Sequence, residues 1–170
     1  MMNAKKKLVF LIFHRKELLY DIENNAYIQG DIMGKGDEHR RHQVIDIGQD
    51  GNVDRVTRVM NLAYQECVDM LYPYTKADVA EESSLDNTFG APEMYKMRLL
   101  VPEDFSKGTV ALLKGLIHEY MVCRVIADWV SITYNDSYPT WASKLEETRE
   151  KIGGCMNTRG GRVRRTQTPF

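Results

Sequence analysis

Two imidazoles three residues apart, in the run DEHRRH, are the first side chains that could do chemistry. Asp37, Glu38, His39 and His42 place two histidines beside two carboxylates. On a helix that set could share a divalent metal. The glycines of GKGDEH at 34–39 instead predict a loop spanning 34–52, where the cluster reads as solvated charge. His118-Glu119 resembles the start of a zinc-protease helix, but the second histidine belongs at position 122, which is valine. GKGDEH lacks the GxxxxGK[ST] order that lets backbone amides cradle phosphate, and no GxSxG occurs. Cys67, Cys123 and Cys155 are widely spaced without a CxxC pair. Cys67 and Cys123 sit at helical spacing among apolar residues and read as small core side chains, with a reducing compartment as the simplest setting. Glu146, Glu147, Arg149 and Glu150 read as a helix surface of i,i+3 and i,i+4 pairs. Tyr72, Tyr74, Trp129 and Trp141 could stack bases, yet they lie beside apolar stripes and are expected in the core. No catalytic residue, metal ligand or cofactor is expected, and the chain reads as non-enzymatic.

The elements around these residues are mostly helical. The apolar run LVFLIF, Leu8 to Phe13, fits either a short strand or the start of a helix. It is too short for a membrane span, and His14, Arg15 and Lys16 stand where a signal-peptide cleavage site would be needed, so no export and no membrane contact are expected. Leu18, Leu19, Ile22 and Ala26, with the stretch Gln29 to Met33 beyond them, predict a helix over 14–33, closed by Gly34 and Gly36. A second helix is expected from Asn52 or Asp54 as cap to Pro73, with Val53, Val56, Val59 or Met60, Ala63, Cys67, Met70 and Leu71 inward. Residues 75–92 form an acidic linker with few side chains to bury, expected to be mobile or to dock on a partner. In EMYKMRLLVP, Tyr95, Met97, Leu99 and Val101 alternate with Met94, Lys96, Arg98 and Leu100, which predicts a strand ending at Pro102.

The longest feature begins at Lys107. From there to Tyr134 polar side chains are so few that the helix must be enclosed on most sides. So short a chain leaves little to enclose it, which predicts that part of its surface meets another subunit. A final helix over 138–152, with Pro139 in its first turn and Trp141, Leu145, Thr148 and Ile152 inward, is expected to end at Gly153 and Gly154. The domain is thus 1–152, followed by a basic extended C-terminal arm over 153–170.

That arm ends in NTRGGRVRRTQTPF, with four arginines and no acid. Its only buriable side chains, Val163 and Phe170, cannot offset the entropy of ordering it, so it is expected to be disordered unless a partner holds it. The net charge of −1 hides the asymmetry. Residues 1–150 hold all 24 acids against 18 of the 23 Lys and Arg, a net −6, and residues 151–170 carry +5. A basic arm on an acidic body predicts a partner with a negative surface. Arg162 and Arg164 alternate with Val163, so an extended arm would present two guanidinium forks on one side.

The fold class expected is mainly α: a helical bundle with one long buried helix, a minor β element and an extended arm. In its architecture the chain resembles the helical head–tail connector, or adaptor, proteins of tailed bacteriophages. The stretches HRKELLYDIENNAYIQGDIM, MNLAYQECVDMLYPYT, LLKGLIHEYMVCRVIADWVSI and RGGRVRRTQTPF carry that resemblance. It implies a homo-oligomeric ring beneath the portal protein, contacts with neighbouring neck and tail proteins, and contact with packaged DNA. It also implies a C-terminal arm that docks into the portal through Arg159, Arg162, Arg164, Arg165 and Phe170. The strand-like EMYKMRLLVP and the long acidic linker depart from a minimal helical adaptor. The other reading is a nucleic-acid-binding accessory protein with the arginines on phosphates, giving weak, salt-sensitive binding.

Overall fold

The computed structural model describes residues 5–76 and 86–157, the last of these for its backbone only. Strand β1, Lys6–His14, runs directly into helix α1, Arg15–Asp31. Helix α2, Glu38–Ile45, and a 3-10 turn at Asp46–Gly48 lead into α3, Asp50–Met70. Strand β2, Met94–Pro102, precedes the long helix α4, Lys107–Thr133. A 3-10 turn at Asn135–Ser137 then leads to α5, Tyr138–Asn157. The expected mainly helical fold with a minor β element is therefore observed. LVFLIF resolves as strand: β1 and β2 form one antiparallel pair in which Leu8 faces Leu100, Phe10 faces Arg98 and Ile12 faces Lys96.

The core is a single cluster around α4, which packs on α1, α2, α3 and α5. Ser106 caps α4 by accepting a hydrogen bond from the Thr109 amide at 3.5 Å. From Ile117 to Val130 every apolar side chain of α4 is buried. The chain itself closes this girdle, so the shortage of covering elements expected over α4 does not occur there. Exposed apolar side chains on α4 are confined to its ends, Leu112 at 56% and Ile132 at 58% exposed.

Three further expectations need correction. The loop expected over 34–52 contains α2. Its outward residues are charged, and it is anchored at one end by buried Val44, whose carbonyl accepts from Trp129 Nε1 at 3.0 Å, and by buried Ile47 beyond it. Two apolar anchors at the end of a charged stretch give no period to read. At Gly30 a Cβ would come within 2.6 Å of Ile45 Cγ1, so glycine is what lets α1 and α2 approach this closely. Helix α3 starts at Asp50 behind Gln49, earlier than the expected caps, and Asn52 Nδ2 donates to the Asp46 carbonyl at 2.8 Å instead.

The third correction concerns α5, which does not stop at Gly153 and Gly154 but continues to Asn157. Ile152 and Met156, four residues apart, are both buried. Each such side chain contributes about 1.5–3 kcal/mol, more than the roughly 1 kcal/mol each glycine costs. An arm can therefore begin only after Asn157. Among the aromatic residues expected inside, Trp129 is buried while Tyr74 and Trp141 are half-buried. Tyr72 is exposed, with the Lys76 ammonium 5.4 Å from its ring centre.

Cys67 and Cys123 are fully buried and Cys155 half-buried. Burial pushes the Cys123 thiol up to about 12 and the Cys67 thiol higher still. Thiolate is the reactive form. An aromatic disulfide reagent at pH 8 is thus expected to modify Cys155 promptly, and Cys67 and Cys123 at least about 100-fold more slowly. Equal labelling of all three in the native protein, read by peptide mass, would contradict this packing.

Candidate assembly surface

Hydrogen-bond direction alternates along an antiparallel strand. The Leu100 amide donates to the Tyr74 carbonyl at 2.8 Å, and the Tyr64 hydroxyl donates to the Lys96 carbonyl at 2.8 Å. The even residues of β2 therefore point their backbone groups away from β1, and the odd residues make the ladder. By the register, the odd residues of β1 are their partners, an alternation extended by the Glu103 amide bonding to the Lys5 carbonyl at 3.0 Å. The amides and carbonyls of Leu8, Phe10 and Ile12 consequently point to the free side of β1. No backbone group among the described residues pairs with them. Among the described residues this is an open strand edge.

The same residues carry the sheet's outer face. Leu11, Phe13, Tyr95, Met97, Leu99 and Val101 face inward and are buried. Outward stand Leu8 at 49%, Phe10 at 46%, Met94 at 46% and Leu100 at 39% exposed, with half-buried Ile12 among them. The Lys96 ammonium lies 4.5 Å from the centre of the Phe10 ring. Lys6 and Arg98 complete a face that is apolar in its middle and cationic around it. Lys7 turns the other way and donates to the Phe105 carbonyl at 2.6 Å. Beyond His14, a groove at the β1–α1 junction is lined by Arg15 and Lys16 together with the carboxylates of Glu17, Glu23 and Glu93.

The face is held rigidly from behind. The Tyr95 hydroxyl donates to Asn61 Oδ1 at 2.5 Å, and its ring lies 5.2 Å from that of Tyr64. Burial drives the Tyr95 hydroxyl up to about 12, against a smaller opposing pull from Arg15. A second exposed apolar stripe runs along α1 through Tyr20, Tyr27, Ile28 and Ile32.

The residues singled out for chemistry are dispersed. His39 and His42 do lie on a helix, α2, but His39 Nε2 contacts Gln43 Nε2 at 3.2 Å, and Arg40 and Arg41 pair with Asp37 and Asp31. Among the described residues no three His, Cys, Asp or Glu side chains converge as a metal site. His118 Nε2 bonds Asp21 Oδ2 at 2.6 Å and so ties α4 to α1. Glu119 of the same turn pairs with Lys144 of α5 at 2.6 Å. Arg159, Arg162, Arg164, Arg165 and Phe170 lie outside the described residues, as does 77–85 of the acidic linker. Sequence reasoning missed the edge formed by Leu8, Phe10 and Ile12. The run LVFLIF was visible, but which of its residues face outward depends on a partner strand some ninety residues away.

No described helix is long and apolar enough to cross a membrane. Compared with family models, curated proteins and solved structures, the chain matches none of them.

Proposed function

We propose that this protein is a non-enzymatic assembly protein of a tailed-phage virion. It acts as a head–tail connector that forms a ring beneath the portal and docks there by its basic C-terminal arm. The observation that carries this reading is the outward sheet face, where exposed Leu8, Phe10, Met94 and Leu100 adjoin a strand edge that no other described residue pairs with. Apolar side chains and free backbone groups at one place suit an interface between proteins. The charge division between an acidic body and an arginine-rich end supplies the second contact of such a role, with arginine forks on carboxylates or carbonyls of a neighbour.

Removing residues 158–170 tests it. The shortened protein is expected to melt within about 1 °C of the full chain, since Val163 and Phe170 are the segment's only buriable side chains. Its incorporation into particles is expected to be lost. Incorporation at the wild-type level would overturn the arm's role. Normal portal binding with lost affinity for DNA at low salt would replace it with the nucleic-acid reading.

A further inference from the structure

We propose that the groove between α1 and the 3-10 turn at Asp46–Gly48 binds an extended, uncharged β-1,4-linked oligosaccharide, stacked on Tyr20 and Tyr27. The site needs neither the outer sheet face nor the arm, and so goes beyond the connector reading. Side chains seven apart on an α-helix share a face. Tyr20 and Tyr27 are such a pair, 70% and 57% exposed, and both line a groove of about 400 Å³. Along the helix they stand two turns apart, about 10.5 Å. Glu23 and Asn24 lie between them on α1, and Asp46 and Gln49 line the groove from the turn and its end. Among the described residues these four side chains have no hydrogen-bond partner. Gly48 shapes the wall: a Cβ there would stand 2.7 Å from Glu23 Cδ and Oε1, so glycine is what lets the Glu23 carboxylate lie against the turn.

The lining matches the chemistry of a sugar chain. A pyranose presents apolar C–H faces and a rim of hydroxyls. The faces suit aromatic rings, and the rim suits carboxylates and carboxamides that accept and donate side by side. In a β-1,4-linked chain each sugar is turned over relative to the one before, so sugars two apart offer the same face. That repeat is close to two helical turns. Alternate sugars thus fall on Tyr20 and Tyr27, and the sugar between them falls beside Glu23 and Asn24. An α-1,4-linked chain coils and cannot lie flat on both rings. Other ligands that stack are disfavoured by charge. No Lys, Arg or His is among the described residues lining this groove, so a nucleic acid or acidic sugar would face Glu23 and Asp46 without a counter-charge. His14, Arg15 and Lys16 belong to the adjoining groove beyond Tyr20, in company with Glu17 and Glu93.

The probes are cellohexaose and chitohexaose, with maltohexaose as the coiled counterpart, each titrated into the full chain. Cellohexaose, chitohexaose or both are expected to bind with a Kd of about 0.1–1 mM, as suits an open groove, and maltohexaose at least about tenfold more weakly. In NMR spectra, binding should shift the ring signals of Tyr20 and Tyr27 and the side-chain amide signals of Asn24 and Gln49. Tyr20→Ala and Tyr27→Ala are each expected to weaken binding at least about tenfold. Both residues are exposed, so these variants should fold as the unchanged protein does. Tyr20→Phe with Tyr27→Phe keeps both ring faces and should bind within about threefold of the unchanged protein. Gly48→Ala, whose added methyl meets the flexible end of Glu23, should fold and bind several-fold more weakly. No shift with cellohexaose or chitohexaose at about 10 mM, equal binding of maltohexaose, or binding that survives both alanine substitutions overturns the proposal. A synthetic peptide of residues 158–170 that shifts the same signals where neither probe does would assign the groove to the arm, and overturn it as well.

Discussion

Met121→Arg is expected to leave no folded protein at 25 °C, whereas Leu112→Arg, nine residues earlier on the same helix, is expected to fold normally. Met121 is fully buried in the middle of α4, flanked by buried Tyr120, Val122 and Cys123. Removing its side chain from the core alone costs roughly 2–5 kcal/mol. An arginine there adds an unpaired buried charge, worth roughly another 3–5 kcal/mol. Domains of this size are stable by only about 5–15 kcal/mol, so the sum removes most or all of it. At Leu112, more than half exposed, an arginine can lay its stem along the helix and keep its head in water, for a change within about 0.5 kcal/mol. Far-UV circular dichroism and a denaturant titration of both variants decide the matter. A folded Met121→Arg protein would mean that the α4 girdle is not the core of the monomer.

The second large effect is a loss of stability in alkali. Four buried acids, Cys67, Cys123, Tyr95 and Tyr120, are held above their ordinary values, in each case chiefly by burial. The Tyr120 hydroxyl also donates to Glu66 Oε2 at 2.7 Å, a bond its ionised form could not make. Below about pH 8 all four are largely protonated in both folded and unfolded chains and contribute little pH dependence. Above the ordinary thiol value of 9.0 the unfolded chain loses protons that the folded chain keeps. The unfolding free energy then falls with pH. Above the ordinary tyrosine value of 10.0 the two phenols add to it. Each group contributes up to about 1.4 kcal/mol per pH unit, so four approach about 5 kcal/mol per unit. Unfolding between about pH 10 and 12 is expected, with Cys67→Ala combined with Cys123→Ala delaying the onset by about one unit. Urea titrations at pH 8, 9, 10 and 11 would show the slope, and a flat profile to pH 11 would contradict it.

What the sequence allowed to be read follows from where the physical signal lay. The alternation in MYKMRLLV and the apolar density of α4 are local signals, and both elements appear within a residue or so of their expected bounds. Helix α2 was hidden because it buries only one side chain of its own, and what seats it is tertiary: the close approach of Ile45 to Gly30 of α1 and a carbonyl held by Trp129 from α4. The continuation of α5 through two glycines was hidden because local propensity says stop, while Ile152 and Met156 find tertiary burial. The outward sheet face and its edge were the least legible part. Nothing in LVFLIF tells which of its backbone groups stay unpaired until Leu100 is seen to bond Tyr74.

The pairing of β1 with β2 also matters while the protein is being made. His14 pairs with Met94 and Lys6 with Pro102, so the first strand has no mate until some eighty further residues have been synthesised. At ribosomal speeds of about 5–20 residues per second the run LVFLIF leaves the exit tunnel roughly 4–16 s before its partner does. During that interval both of its edges and both of its faces are bare, in the most apolar six residues near the N-terminus. The lysines at 5–7 and the His-Arg-Lys at 14–16 then act as gatekeepers on a nascent chain, keeping neighbouring copies on a polysome apart by repulsion. Neutralising those six residues is expected to lower the soluble yield of newly made protein far more than the melting temperature of what does fold.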